Sequence, residues 1–171
     1  PAPGKTLNLV VAADKFEDFS NLHWDIDRFR AVRVDNKSVL LGEPRFDIEK
    51  SPTTDVVLVV KKYARGKTQA DANENIRKII YNYQKTDSSI TFDPWYMLGE
   101  NGKWYGQRVD ITLKIPEGTS VFLSEGMEEI IYDIENVSHT WDGDMVGKTW
   151  IMLPEGLTMK ESLEVKADSI K

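Results

Sequence analysis

Between Arg108 and Ile115 the chain alternates strictly, with Val109, Ile111, Leu113 and Ile115 apolar and Arg108, Asp110, Thr112 and Lys114 polar. That period of two belongs to a β-strand with one dry face and one wet face, and Pro116-Glu117-Gly118 ends it. The stretch Asp55 to Lys62 holds five consecutive apolar residues, Val56 to Val60. A run so dense and so short predicts a strand covered on both faces, at the centre of a sheet. Leu7 to Val11, Phe29 to Val34, Ser88 to Phe92, Thr119 to Leu123 and Ile130 to Ile134 read as further strands, with Trp150 to Leu153 as the last. Asp35-Asn36-Lys37-Ser38 is a turn into Val39-Leu40-Leu41, and Lys15 to Asn21 is a loop anchored by Phe16 and Phe19.

Only one segment carries a helical period. Thr68 stands as an N-cap, Asp71 supplies an acid to the first turn, and Ala72, Ile76, Ile79, Ile80 and Tyr83 recur on one stripe. The expectation is one amphipathic helix over about 68–84, docked on a sheet.

Four short stretches echo one another. Trp24-Asp25-Ile26-Asp27, Phe46-Asp47-Ile48-Glu49 and Tyr132-Asp133-Ile134-Glu135 share an aromatic, Asp, Ile, acid pattern, and Val109-Asp110-Ile111 shares its centre. The Asp spacings of 22, 63 and 23 fit a coil of a little over twenty residues, the rung length of a β-solenoid. The fold class expected is therefore mainly β with one helix, built as a β-solenoid-like stack, with a β-sandwich as the alternative. Residues 1–157 form a single β-rich domain in this reading, and 158–171 a charged C-terminal tail.

Composition narrows the function classes. The 171 residues are 40% hydrophobic and 29% charged, and a chain of this mass buries about 70% of its extended surface on folding. With 22 Lys and Arg against 28 Asp and Glu, the net charge is −6, which opposes nucleic acid as a partner. Zero Cys excludes disulfides, thiolate metal sites and a Cys nucleophile. No apolar run reaches the roughly 20 residues of a membrane-spanning helix. The chain opens Pro1-Ala2-Pro3-Gly4 without Met, so an excised segment or a processed form is expected, with a membrane anchor in the upstream sequence.

Candidate chemistry is sparse. His23 and His139 have neither a second His nor a Cys at metal-ligand spacing. Asp142-Gly143-Asp144 lacks the rest of a calcium loop and reads as a turn, so no metal and no cofactor is expected. Arg65-Gly66-Lys67-Thr68 lacks a preceding Gly-rich loop and reads as a tight strand-to-helix turn rather than a phosphate site. Neither a Gly-x-Ser-x-Gly motif nor a dinucleotide fingerprint occurs. The largest concentration of rings is Trp95, Tyr96, Trp104 and Tyr105, with Trp141 further on. Such rings either fill a core edge or, exposed, bind partners by stacking, and these five are the candidate partner-binding residues.

Several stretches together carry a family resemblance: Phe46 to Ser51, Ala64-Arg65-Gly66-Lys67, Ile79 to Tyr83, Gly106-Gln107-Arg108-Val109, Ile115-Pro116-Glu117-Gly118, and Asp142 to Met152 with Gly156-Leu157. Over residues 40–157 the chain resembles the C-terminal domain of phage shock protein C-like (PspC-like) envelope proteins. It is similar also to LiaF-type C-terminal domains and adhesin-like head domains, whose architecture is a β-solenoid-like stack. The resemblance implies a non-catalytic interaction or scaffold domain of a membrane-anchored envelope-stress-response protein, binding a protein or cell-envelope component through a β surface. It implies the cell envelope as location, with the periplasmic side favoured and the cytoplasmic side left open. Two rival readings are a carbohydrate-binding adhesin-like domain and a carbohydrate-active β-solenoid, a lyase or hydrolase with Asp25, Asp47, Asp110 and Asp133 aligned along one face. An open strand edge makes a homo-oligomer a further expectation.

Overall fold

The computed structural model describes residues 5–19, 21–22, 29–99 and 103–163. Strands β1 (Thr6–Val11), β2 (Asn21–Leu22), β3 (Phe29–Val34), β4 (Lys37–Gly42), β5 (Arg45–Lys50) and β6 (Val57–Tyr63) precede helix α1 (Gln69–Arg77). Then come β7 (Ile79–Ile80), β8 (Tyr83–Lys85), β9 (Ser89–Phe92), β10 (Tyr96–Leu98), β11 (Arg108–Ile115) and β12 (Ser120–Leu123). A 3-10 turn at Glu125–Glu129, a single helical turn α2 (Asp142–Met145), β13 (Lys148–Leu153) and β14 (Gly156–Met159) complete the order. The protein is mainly β, and α1 is the one helix longer than a turn or two among the described residues.

These strands form three sheets, ordered β14-β13-β12-β1-β9-β8, β2-β3-β4-β10-β7 and β5-β11-β6. β1 lies parallel between β12 and β9, so Leu123, Leu9 and Ile90 form one apolar row across three strands. On the other side of the core, β11 and β5 are parallel with Ile111 beside Phe46, and Phe46 bridges to Ile131 in the same sense. The two sides face each other through Phe46 and Phe92, which lies two residues on from Ile90 in β9, with ring centroids 5.0 Å apart. Each passage of the chain thus contributes one strand or bridge to each side, and the N-terminal passage sits between the other two.

The alternation of β11 is reproduced residue for residue, with its four apolar side chains buried and its four polar ones half-exposed. The turn at Asp35-Asn36 places both residues at positive φ, 48° and 61°, the twist that a two-residue hairpin requires, and β3 and β4 pair across it.

Four expectations are corrected. The Val56–Val60 run builds β6, which among the described residues pairs only with β11 and is an edge strand there rather than a central one. Leu58 and Val60 pack on the core while Val57 stays exposed, because a strand buries only alternate residues unless both faces are covered. The helix ends at Arg77, well short of 84. A capping box fixes its start, Thr68 Oγ1 accepting from Asp71 N and Asp71 Oδ2 from Thr68 N, both at 3.1 Å. Ile79 and Ile80 leave the helical stripe for strand β7, and the helix is tied down instead by Asn75, whose Nδ2 donates to the Arg65 carbonyl at 2.9 Å. Ile130 to Ile134 is not a strand: it follows the 3-10 turn, makes the one bridge at Ile131, and breaks at Asp133, which has φ 55°. Trp150–Leu153 is not the last strand, since β14 follows and pairs with β13; residues 160–163 are helical.

The aspartate echo does not set the register. Its Trp24 to Asp27 copy lies outside the described residues. Asp110 stands opposite Arg45 and Asp47 opposite Thr112, an offset of two residues, and the Phe46–Ile131 bridge sets Asp47 level with Tyr132 rather than Asp133, so the acids do not form a column.

Candidate binding cleft

At one end of the three-stranded sheet, the last residue of β6, Tyr63, stands opposite the first of β11, Arg108. Here the chain leaves β6 and enters β11, and an open cleft of about 650 Å³ is lined by Phe29, Glu43, Arg45, Tyr63, Arg65, Tyr96, Trp104, Tyr105 and Arg108, among others. Of the five ring residues singled out from the sequence, three meet here: Tyr96, Trp104 and Tyr105.

Their roles differ. Tyr96 is only 2% exposed, with its ring over Gly42, where an added Cβ would lie 2.2 Å from Tyr96 Cζ. Its hydroxyl donates to the Gln107 carbonyl at 2.9 Å, so Tyr96 is the floor of the cleft. Trp104, 62% exposed, stands on the wall with Phe29 edge-on at 6.1 Å. Tyr105 is exposed beside it. Gln107, a buried residue that ring chemistry does not point to, fixes both: its Oε1 accepts from Tyr105 N at 2.6 Å and its Nε2 donates to the Lys103 carbonyl at 3.0 Å. The only sequence signal for it is its place in Gly106-Gln107-Arg108-Val109.

Trp95 and Trp141 lie elsewhere. Trp95 alternates with Tyr96 to the opposite side and packs on the second, smaller core of Phe16, Val32 and Leu41. Arg30 lies 5.9 Å from its ring. Trp141, 83% exposed, precedes α2 and does not line the cleft.

The arginines complete the cleft and were not among the candidate site residues. The Arg108 guanidinium stacks on Tyr63 at 4.4 Å and its Nε lies 3.0 Å from Asp110. Arg45 stacks on Tyr132 at 4.4 Å. Arg65 passes over Gly106, where an added Cβ would sit 3.2 Å from Arg65 Cδ, and Arg65 N donates to the Tyr105 carbonyl at 2.7 Å. Gly66 lets this turn press against α1, since a Cβ there would lie 2.3 Å from Ala72 N. The strand-to-helix turn read at Arg65 to Thr68 is therefore what the structure builds, with the first-turn amide of Asp71 already taken by the capping box.

A second, acidic groove of about 1060 Å³ runs past Asp47, Glu49, Asp133, Glu135 and Glu155, with Lys50, Tyr132 and His139. His139 occupies a left-handed turn with φ 52°, and His23 lies outside the described residues. Asp142 spends both carboxylate oxygens on backbone amides, Oδ2 accepting from Asp133 N at 2.6 Å and Oδ1 from Ile134 N at 3.1 Å. Among the described residues no group of three or more His, Asp or Glu is placed to hold a metal ion.

Burial pushes the Asp47 carboxyl up to about 6, assisted by Glu49, Glu135 and Asp133 and opposed by the Ile48 amide that donates to it. A raised carboxyl pKa means that the folded state holds this proton more tightly than the unfolded one. The resulting stabilisation is complete below pH 3.8 and is lost as pH rises through about 6. Asp47→Asn, neutral at every pH, is expected to be more stable than the wild type at pH 8 by about 1 kcal/mol after allowance for solvent screening, or about 2–4 °C in Tm. At pH 4 the two proteins should melt together, and thermal melts at both pH values check this. An equal shift at pH 4 and 8 would mean that the effect is not protonation.

No helix among the described residues is long and apolar enough to cross a membrane. Neither the curated proteins nor the solved structures contain a match to this chain. A family model does match: the toast-rack domain found in some PspC proteins, over residues 33–164. That span runs from the end of β3 past β14 and takes in the β5, β6 and β11 sheet and every described cleft residue but Phe29. The chain belongs to the toast-rack family of PspC C-terminal domains.

Proposed function

We propose that this toast-rack domain is a non-catalytic interaction module of a membrane-anchored envelope-stress-response protein, and that it engages a protein or cell-envelope component through the cleft at Trp104. Family membership supports a non-catalytic domain of an envelope protein. The observation that carries the cleft is the exposed Trp104 ring held in place from two sides: Phe29 packs edge-on against both it and the buried Tyr96, and the Gln107 bonds fix the loop on which it stands. Rigid, exposed aromatic rings with little to lose in conformational entropy are what binding hot spots are made of.

In this reading the domain is a β-solenoid-like stack, supported by the two facing parallel rows, and it works on the periplasmic side. The open edge of β6 is where a second copy adds. The rival lyase or hydrolase reading loses its main support in the register, because Asp110 sits among Arg45, Lys61 and Arg108 rather than beside Asp47 and Asp133.

The test is affinity capture from detergent-solubilised envelope extract with the purified domain as bait. Trp104→Ala, an exposed change, should fold normally by circular dichroism and lose the wild-type partner at least tenfold. A variant that folds normally and retains every partner would remove the cleft from the reading.

A further inference from the structure

We propose that the cleft is a site for an acidic glycan, one whose sugar rings stack on Trp104 and Tyr105 while its carboxylates meet Arg45, Arg65 and Arg108. The inference rests on the reading of this cleft as the binding surface and adds the chemistry of the ligand. Among the described residues, three arginines and one acid, Glu43, line the cleft, and even with Asp110 set against Arg108 the cations outnumber the acids, in a chain whose net charge is −6. The local excess is opposite in sign to the whole, so it selects an anion that the rest of the surface repels.

Two of the guanidinium groups, those of Arg45 and Arg65, are also ready to bind, while Arg108 keeps its terminal nitrogens beyond the Nε that faces Asp110. Among the described residues no carboxylate oxygen lies within ion-pair distance of Arg45 or Arg65. Arg45 and Arg108 are ordered by stacking on Tyr132 and Tyr63, and the Arg65 stem is confined over Gly106. Ordering in advance lowers the entropy lost on binding, and the planar fork of Arg matches a carboxylate in bidentate fashion.

The size of the cleft suits an oligosaccharide. A concavity of about 650 Å³ falls within the size range of small-ligand sites, room for two or three sugar rings. Trp104, Tyr105 and Tyr63 offer flat apolar faces beside the cations, which suits a ring with an apolar C–H face and a charged edge.

The test is titration of the domain, read by tryptophan fluorescence, with oligogalacturonate, hyaluronan oligomers and sialylated oligosaccharides. Their carboxyl-reduced counterparts and a polyglutamate peptide of equal charge serve as comparisons. At least one carboxylated oligosaccharide should bind, at least tenfold more tightly than its reduced form and than polyglutamate, with affinity falling as salt rises. Arg65→Ala should weaken that binding about tenfold and erase the preference for the acidic form. Trp104→Ala should weaken acidic and reduced forms alike, and Lys67→Ala, exposed and outside the cleft, should change neither. Equal binding of the reduced forms, tighter binding of polyglutamate, or no binding by any carboxylated oligosaccharide would overturn the proposal. If the Trp104-dependent partner of the capture experiment still stands in that case, the cleft is a binding surface for something else.

Discussion

Replacing Trp150 by Ala is expected to cost about 4 kcal/mol, the cost of truncating a fully buried Trp, and to lower Tm by about 8–16 °C. Trp150 is 0% exposed and the bulkiest fully buried side chain among the described residues. It sits in β13 between Val121 of β12 and Met159 of β14. Its Nε1 also donates to the Met145 carbonyl at 2.9 Å, at the end of α2. Trp150→Phe keeps most of the volume but removes that donor and part of the ring, so its expected cost is about 2 kcal/mol, from an unpaired buried carbonyl and a smaller ring. Chemical denaturation of the three proteins orders them. A loss below about 1 kcal/mol in Trp150→Ala would mean that this side chain is not packed as described, and equal losses in both variants would mean that the indole bond carries the whole effect.

Phe46→Ala is expected to cost about 3–5 kcal/mol and to loosen two sheets at once. Phe46 belongs to β5, flanked by Ile111 and Ile131, and its ring meets Phe92 of β9 in the six-stranded sheet. Removing it leaves a cavity at the junction rather than within one layer. Phe46→Leu retains most of the volume and should cost less than about 1.5 kcal/mol. Amide hydrogen exchange is the decisive readout: in Phe46→Ala, protection should fall in β1 and β9 as well as in β5 and β11. Exchange that rises in β5 and β11 alone would show that the sheets are separately stable units.

The elements legible in the sequence are those whose period is local. In β11 each apolar residue needs only its neighbours of opposite polarity to declare a strand, and Asp35-Asn36 declares a hairpin because those residue types tolerate positive φ. Thr68 and Asp71 declare a helix start by bonding to each other. The far end of that helix was not legible. Ile79 and Ile80 fit both a helical stripe and a strand, and the choice rests on β10, which pairs with β7 from more than fifteen residues away in sequence. The same holds for β6, whose apolar density suits an interior strand but which, among the described residues, has a strand partner on one side alone.

The cleft divides in the same way. Trp104 and Tyr105 stand out in the sequence as rings, and their exposure follows from the loop that carries them. That Tyr96 would be floor and Trp95 part of another core follows from alternation in β10 together with what lies on each of its faces. Arg45, Arg65 and Arg108 are separated by 20 and 43 residues, ordinary charges at that distance, and only the pairing of β5 and β6 with β11 brings them to one end of one sheet.

By itself, then, the sequence determined a β-rich chain with one capped helix, no thiol chemistry, and enough motif to carry its kinship to PspC C-terminal domains. Local hydrogen bonding and the alternation of polar and apolar side chains suffice for that much. Tertiary structure alone decided which strand lies at an edge, that β1 lies between β12 and β9, that the aspartate echo has no common register, and that three distant arginines share a cleft with an exposed tryptophan. Each of these depends on strand partners distant in sequence, and a pairing is fixed by the burial of both strands together rather than by the pattern of either one.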